Sequence, residues 1–158
     1  MWRGMTVLMV LATSAMAQRP VDVRATVGTA AFADDAAEVH RAVGGSARFY
    51  VTRRFAIEPE VQYWTLNRNH HDWLFMPNVS YDFRSLDKRV VPYAIGGVGY
   101  LRLTDGIFRR FTVDTWLAEG GGGAKIYFHR RAFIAPEVRI GSELYLRATV
   151  SLGYTFGR

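Results

Sequence analysis

An all-β fold, an eight-stranded antiparallel up-and-down transmembrane β-barrel, is what this 158-residue sequence predicts. Three observations carry the prediction. The chain opens on an export leader, the remainder breaks into short segments that alternate with period two, and each segment has one face free of charged side chains. Alternating strands with an apolar outside and a polar inside are the signature of a barrel that sits in lipid.

The leader comes first. Met1 to Gly4 carries a positive charge at Arg3, Met5 to Ala12 is apolar, and Ala15-Met16-Ala17 offers the small residues of a cleavage site. Residues 1–17 are therefore expected to be a cleaved signal peptide and 18–158 the mature barrel domain. The apolar run is shorter than the roughly 20 residues a permanent helix needs, so any crossing of a membrane falls to strands. The chain has no cysteine, which excludes disulfides, thiolate nucleophiles and cysteine metal sites. Charged residues make up 22% and apolar residues 49%, outside the range of disordered tails and of helical membrane bundles. The formal charge is +6, from 20 basic and 14 acidic residues, and loss of Arg3 lowers it by one. The basic residues are scattered rather than gathered in one stripe, which argues against a nucleic-acid partner.

The strands follow in order. Val21 to Ala31 sets Val21, Val23, Ala25 and Val27 against Arg24 and Gly28, and Arg41 to Val51 sets Val43, Ala47, Phe49 and Val51 against Gly44, Ser46 and Arg48. Phe55 to Leu66 opposes Ile57, Pro59, Val61 and Tyr63 to Glu58 and Glu60; Trp73 to Phe83 opposes Phe75, Pro77, Val79 and Tyr81 to Asp82. In Val91 to Leu103 the reading puts Val91, Tyr93, Ile95 and Leu101 on the apolar face, with Gly96 and Arg102 opposite. Trp116 to Phe128 runs through Gly120 to Gly123 because Lys125, Ile126, Tyr127 and Phe128 continue the alternation, with Glu119 and Lys125 on the polar face. Phe133 to Gly141 sets Ile134, Pro136, Val138 and Ile140 against Glu137 and Arg139. Tyr145 to Phe156 sets Leu146, Ala148, Val150, Leu152 and Tyr154 against Arg147, Thr149, Ser151 and Gly153. Most of these strands approach the about 9–11 residues that cross a bilayer at a tilt.

The strand ends decide which face looks outward. With both termini at one rim, the apolar-face aromatics Phe49, Phe55, Tyr81, Phe83, Tyr93, Phe128, Tyr154 and Phe156 fall near that rim. Tyr63, Trp73, Phe75 and Trp116 fall near the other. Two aromatic belts around an aliphatic band are what membrane interfaces select. The turns at the terminal rim are short (Thr52 to Arg54, Arg84 to Arg89, His129 to Ala132). The far rim has longer links at Phe32 to His40, Leu66 to Asp72 and Thr104 to Thr115, with one tight link at Gly141 to Leu144. Short periplasmic turns and longer outer loops are the asymmetry of bacterial outer-membrane barrels.

With these residues in view the chain resembles the OmpA/OmpX-like eight-stranded outer-membrane barrels, specifically the small outer membrane protein β-barrel domain group. The resemblance rests on Val91-Pro92-Tyr93-Ala94-Ile95-Gly96-Gly97-Val98-Gly99-Tyr100, the glycine-rich sixth strand and the closing Ser151-Leu152-Gly153-Tyr154-Thr155-Phe156. It also rests on the paired Ile57-Glu58-Pro59-Glu60-Val61 and Ile134-Ala135-Pro136-Glu137-Val138. It implies a monomer in a Gram-negative outer membrane, in contact with membrane lipid and lipopolysaccharide, and inserted by the barrel-assembly machinery. Family chains commonly end on an aromatic residue, whereas here Gly157 and Arg158 follow Phe156.

Eight strands enclose a space that side chains fill. The expected lumen network is Arg24, Arg48, Glu58, Glu60, Asp82, Arg102, Glu119, Lys125, Glu137, Arg139 and Arg147, six basic and five acidic residues suited to ion pairing. Such a lumen predicts a structural or surface-interaction protein with no catalytic, cofactor or metal site. Glu58, Glu60 and Glu137 also offer a catalytic carboxylate reading, and a narrow gated pore and a lipid A-modifying enzyme are the alternative functions. An eight-stranded lipid A deacylase is similar in size, but its His-x-Ser motif does not occur here. His70-His71-Asp72 and Asp34-Asp35 are the weaker metal candidates, and His129 stands without a serine or cysteine partner. Arg53-Arg54, Lys88-Arg89 and Arg130-Arg131 occupy all three short turns of the terminal rim, where anionic headgroups, the periplasmic cell-wall polymer, or simple orientation and solubility each account for them. Arg109 and Arg110, between Phe108 and Phe111, offer an outer-loop contact for lipopolysaccharide phosphates or another surface ligand.

Overall fold

The computed structural model describes residues 19–32, 39–67, 70–105, 111–142 and 144–157. The leader, Asp34-Asp35, Arg109-Arg110 and Arg158 lie outside them. Eight antiparallel strands follow one another around a closed barrel: β1 (Val21–Phe32), β2 (Val39–Tyr50), β3 (Phe55–Asn67), β4 (His70–Asp82), β5 (Val90–Asp105), β6 (Phe111–Tyr127), β7 (Ala132–Gly141) and β8 (Tyr145–Phe156). Closure is made by β1 against β8, in register from Val21↔Phe156 to Phe32↔Tyr145. Closing the sheet leaves no edge along this seam and satisfies the backbone internally, the condition for crossing a bilayer with strands.

The period-two sequence pattern becomes an inside-out protein. Val27, Ile140 and Leu152 are 61, 63 and 60% exposed, while Arg48 and Lys125 are fully buried. In water that arrangement would leave a continuous apolar wall uncovered; in acyl chains it is the favourable one. The described residues contain no helix long and apolar enough to cross a membrane.

Prolines sit in the wall at Pro59, Pro77 and Pro136, where a missing N–H must break a ladder on one side. The register places Pro59 opposite Pro77. The β2–β3 ladder lapses between Ser46↔Glu60 and Phe49↔Ile57, the β4–β5 ladder between Phe75↔Tyr100 and Asn78↔Gly97, and the β6–β7 ladder between Gly123↔Glu137 and Ile126↔Ile134. Each gap lies beside one of these prolines and the register resumes unchanged beyond it. The two Pro-Glu segments are thus places where the wall is held by what stands inside it, since Glu58, Glu60 and Glu137 all point into the lumen.

Two sequence expectations are corrected. The fifth strand has the opposite facing: Val91, Tyr93, Ile95 and Leu101 are buried inside, and Arg102 is exposed on the outer wall. Both faces of this strand are apolar or small, so alternation alone did not discriminate, and Arg102 lies near the outer end, where a charge on the wall costs little. What draws Tyr93 inward is space and partners. Gly123 lies directly across the ladder, and a Cβ there would come within 2.8 Å of the Tyr93 hydroxyl. The outer links are also shorter than expected, because β3 continues to Asn67, β4 starts at His70, β5 reaches Asp105 and β6 begins at Phe111. Polar residues continue the pairing beyond the apolar band, as in Arg102↔Asp114 and Thr104↔Thr112.

Gly153 leaves room for the Phe133 ring, which a Cβ would approach to 2.3 Å, whereas a Cβ on Gly120 meets nothing within 4 Å. Gly153→Leu is expected to destabilise the folded barrel by about 1–3 kcal/mol through overpacking. Gly120→Ala should stay within about 0.5 kcal/mol of the parent. Urea unfolding in vesicles checks both.

Candidate functional site

The lumen holds one continuous polar network to which every strand contributes. At the end nearer the termini, Lys125 Nζ lies 2.6 Å from Asp82 Oδ2 and 3.3 Å from Asp22 Oδ2, and also donates to Tyr50. Tyr50 in turn donates to Asp82 at 2.6 Å, and Thr155 donates to Asp22 at 2.8 Å. Arg48 links this layer to the next, with Nη1 3.2 Å from Asp82 and Nε 2.5 Å from Glu58. Glu58 also accepts a hydrogen bond from Ser46 at 2.6 Å.

Arg24 occupies the middle layer. Its Nη1 is 3.5 Å from both Glu58 and Glu137 and donates to the Tyr93 hydroxyl at 3.2 Å. Tyr93 donates to Glu137 at 2.6 Å, and its ring lies beneath two guanidinium groups, 4.4 Å from Arg48 and 5.0 Å from Arg24. An aromatic face between two like charges is a stacking platform that a planar guanidinium uses well.

Toward the outer end Arg139 places Nε 2.6 Å from Glu137 and Nη1 2.8 Å from Glu60 and 3.2 Å from Glu119. Arg147 pairs with Glu60 at 2.9 Å and with Glu119. Asn78 and Gln62 donate to Glu60 at 3.0 and 2.5 Å, Trp64 donates to Gln62 at 2.8 Å, and Tyr145 donates to Glu119. Above this layer Ala30, Ala42, Trp64, Leu74, Met76, Leu101, Leu117 and Tyr145 pack into an apolar plug. Val91, Tyr127, Phe133 and Ala135 form a smaller apolar cluster beside the terminal and middle layers, with the Phe133 ring 5.6 Å from the Arg24 guanidinium.

Of the expected lumen residues, Arg24, Arg48, Glu58, Glu60, Asp82, Glu119, Lys125, Glu137, Arg139 and Arg147 come together inside. Arg102 does not; it stands outside with its Nε 3.9 Å from Asp114. The sequence reading missed Asp22, Tyr50, Asn78 and Tyr93. The first two share the parity of Arg24 and Arg48 on their strands, and that parity was the signal available. With Asp22 in and Arg102 out, the balance changes to five cations, Arg24, Arg48, Lys125, Arg139 and Arg147, against six carboxylates, Asp22, Glu58, Glu60, Asp82, Glu119 and Glu137. Glu58, Glu60 and Glu137 are each held by guanidinium groups, an arrangement that neutralises carboxylates rather than freeing one for proton transfer.

On the outer wall Phe49, Phe55, Phe83, Phe128, Tyr154 and Phe156 are exposed at the terminal end, with Tyr81 half-buried among them. The rings meet as Phe55–Tyr81 at 4.8 Å, Tyr81–Phe83 at 5.4 Å and Tyr154–Phe156 at 4.9 Å. Trp73 and Trp116 are exposed toward the other end, paired with Tyr63 at 5.1 Å and Tyr100 at 5.8 Å. Tyr93, expected in the first group, is inside. β4 also separates neighbours of the expected histidine cluster: His71 stacks on Tyr63 outside, and Asp72 points inward, 3.8 Å from His40.

The family model described as outer membrane protein beta-barrel domain matches residues 4–156. No curated protein matches the chain. Among solved structures, the chain is similar to the N-terminal β-barrel domain of Pseudomonas aeruginosa OprF, with a TM-score of 0.73 at 17% identity over 88% of this chain and 98% of that one. Neisserial surface protein A gives 0.68 at 10% identity, covering 89% and 97%. The attachment invasion locus protein Ail of Yersinia pestis gives 0.63 at 13%, covering 88% and 99%. The chain belongs to the outer membrane protein beta-barrel domain family and resides in the bacterial outer membrane.

Arg139→Ala removes the group that joins Glu60, Glu119 and Glu137, leaving buried carboxylates short of a partner. A loss of about 3–5 kcal/mol is expected. Arg102→Ala, which breaks only an exposed pair, should change stability by less than about 1 kcal/mol. The two unfolding midpoints measured side by side test the inside–outside assignment, because the sequence reading gave both arginines the same role.

Proposed function

We propose that this protein is a closed-lumen structural or surface-interaction barrel, without catalysis. The observation that carries this reading is the single ladder of ion pairs running from Asp22 to Glu119, with an apolar cluster packed beyond its outer end. A solute entering the lumen would have to separate charges that are buried and paired, at a cost of several kcal/mol for each pair broken. Eight strands leave an interior narrow enough for side chains to fill, which supports the closed reading. Exchange with the surroundings then takes place on the outer wall and at the two rims, where membrane lipid, lipopolysaccharide and a surface ligand would be met.

A planar-bilayer recording of the purified, refolded barrel tests this. No stepwise conductance is expected from the native protein. Regular single-channel openings from native protein would overturn the closed reading in favour of a narrow pore. Overexpression should leave the mass of lipid A unchanged, and a shifted mass would point instead to an enzyme acting at the outer rim.

A further inference from the structure

The charge of the described chain is strongly polarised along the barrel. Arg19, Arg53, Arg54, Arg84, Lys88, Arg89, Arg130 and Arg131 all lie exposed at the rim that carries the termini. Asp87 is the sole exposed carboxylate among the described residues of that rim, and it pairs with Lys88 at 3.4 Å. Elsewhere the described residues contain more acidic than basic side chains, so the excess positive charge resides at this one end. On the outward face of the described strands, cations occur only at Arg41 and Arg102, both toward the opposite end.

Depth within the membrane distinguishes the partner. The rim cations adjoin the girdle of outward rings: Arg53 and Arg54 precede Phe55, Arg84 follows Phe83, and Arg130 and Arg131 come just after Phe128. Arg54 Nη1 donates to the Tyr81 hydroxyl at 3.2 Å, so this guanidinium lies along the outer wall beside the ring that marks the interface. The turn between β2 and β3 is tight, with Val51 and Thr52 both donating to the Phe55 carbonyl at 2.9 and 3.1 Å, and it projects little beyond the wall. Aromatic rings sit at headgroup level in a bilayer, and cations one residue beyond them sit at the level of the phosphates.

We propose that this rim is an anionic-phospholipid binding collar, which recruits phosphate-bearing headgroups with net negative charge from the periplasmic leaflet around the barrel. The collar acts by electrostatic enrichment of several annular lipids. It is independent of whether the lumen conducts, since every residue in it lies outside the ladder.

The test uses the refolded mature protein in phosphatidylcholine vesicles containing trace spin-labelled phosphatidylglycerol or spin-labelled phosphatidylcholine, and reads the motionally restricted fraction by electron paramagnetic resonance. The native barrel should prefer phosphatidylglycerol about threefold at low salt, with the preference lost at molar salt, as expected for exposed charges. Replacing Arg53, Arg54, Lys88, Arg89, Arg130 and Arg131 by Gln should remove most of the preference, whereas Arg41→Gln with Arg102→Gln should leave it unchanged. Heat-dependent gel mobility confirms that each variant has closed. If the sixfold variant fails to close, Arg53→Gln with Arg54→Gln should lower the ratio partway. Equal association of the two lipids with the native barrel, or a preference that survives neutralisation of the rim, overturns the proposal. Co-sedimentation with cell-wall sacculi that depends on the same six residues, without any lipid preference, would also overturn it and assign the rim to the polymer.

Discussion

A charge buried in a lumen lined by protein needs a partner of opposite charge close at hand, and the structure depends on how that demand is met. Each buried cation reaches carboxylates on strands that do not neighbour its own. Lys125 of β6 meets Asp22 of β1, Arg48 of β2 meets Asp82 of β4, and Arg139 of β7 and Arg147 of β8 both meet Glu60 of β3. Backbone ladders tie each strand only to its neighbours; the ion pairs tie the barrel across its diameter. Leaving one such group unpartnered is far more costly than never having placed the pair there. The network therefore contributes more to holding a unique arrangement than to net stability.

That constraint also explains the register. A slip of one residue on any strand other than β5 would turn its charged side chains toward acyl chains and its outward apolar side chains toward the ion pairs. The prolines make this sharper, because the ladder lapses beside Pro59, Pro77 and Pro136, and the inward side chains beside them, Glu58, Glu60, Asn78 and Glu137, are bonded across the lumen. Glu58 and Glu60 are bonded to Arg48 and Arg147, and Glu137 to Arg139 and Tyr93. Local weakness in the wall is matched by strong pairing behind it.

How legible this was in the sequence follows from the chemistry of each strand. Where one face carried charge and the other carried branched aliphatics, as in β7 with Glu137 and Arg139 against Ile134, Val138 and Ile140, period-two reading identified the lumen side. β5 offered no such contrast, with glycine, alanine and proline alternating against valine, tyrosine and isoleucine, and its charges, Arg102 and Asp105, stood at the end where either face tolerates them. Its facing is determined by tertiary packing, through the space opened by Gly123 and the partners waiting for Tyr93. Asp22 was legible by parity with Arg24. The partners that a tyrosine such as Tyr50 finds across the lumen are not encoded in any local pattern.

The two charge systems have opposite physical roles because they face different surroundings. In the ion-pair network of the lumen, six carboxylates against five cations are interlocked and screened from solvent, so their interaction fixes geometry and little field escapes. At the terminal rim the cations are exposed and outnumber the exposed carboxylates among the described residues, so each contributes little to folding and their summed field reaches outward by about a Debye length. A barrel with a filled interior can differ in function from another of the same fold only at its wall and its rims. On this chain the wall is apolar and the described outer end lacks a comparable excess of charge. The rim beside the aromatic girdle is therefore the place where the composition of the surrounding membrane can act on the protein without disturbing the network that holds it closed.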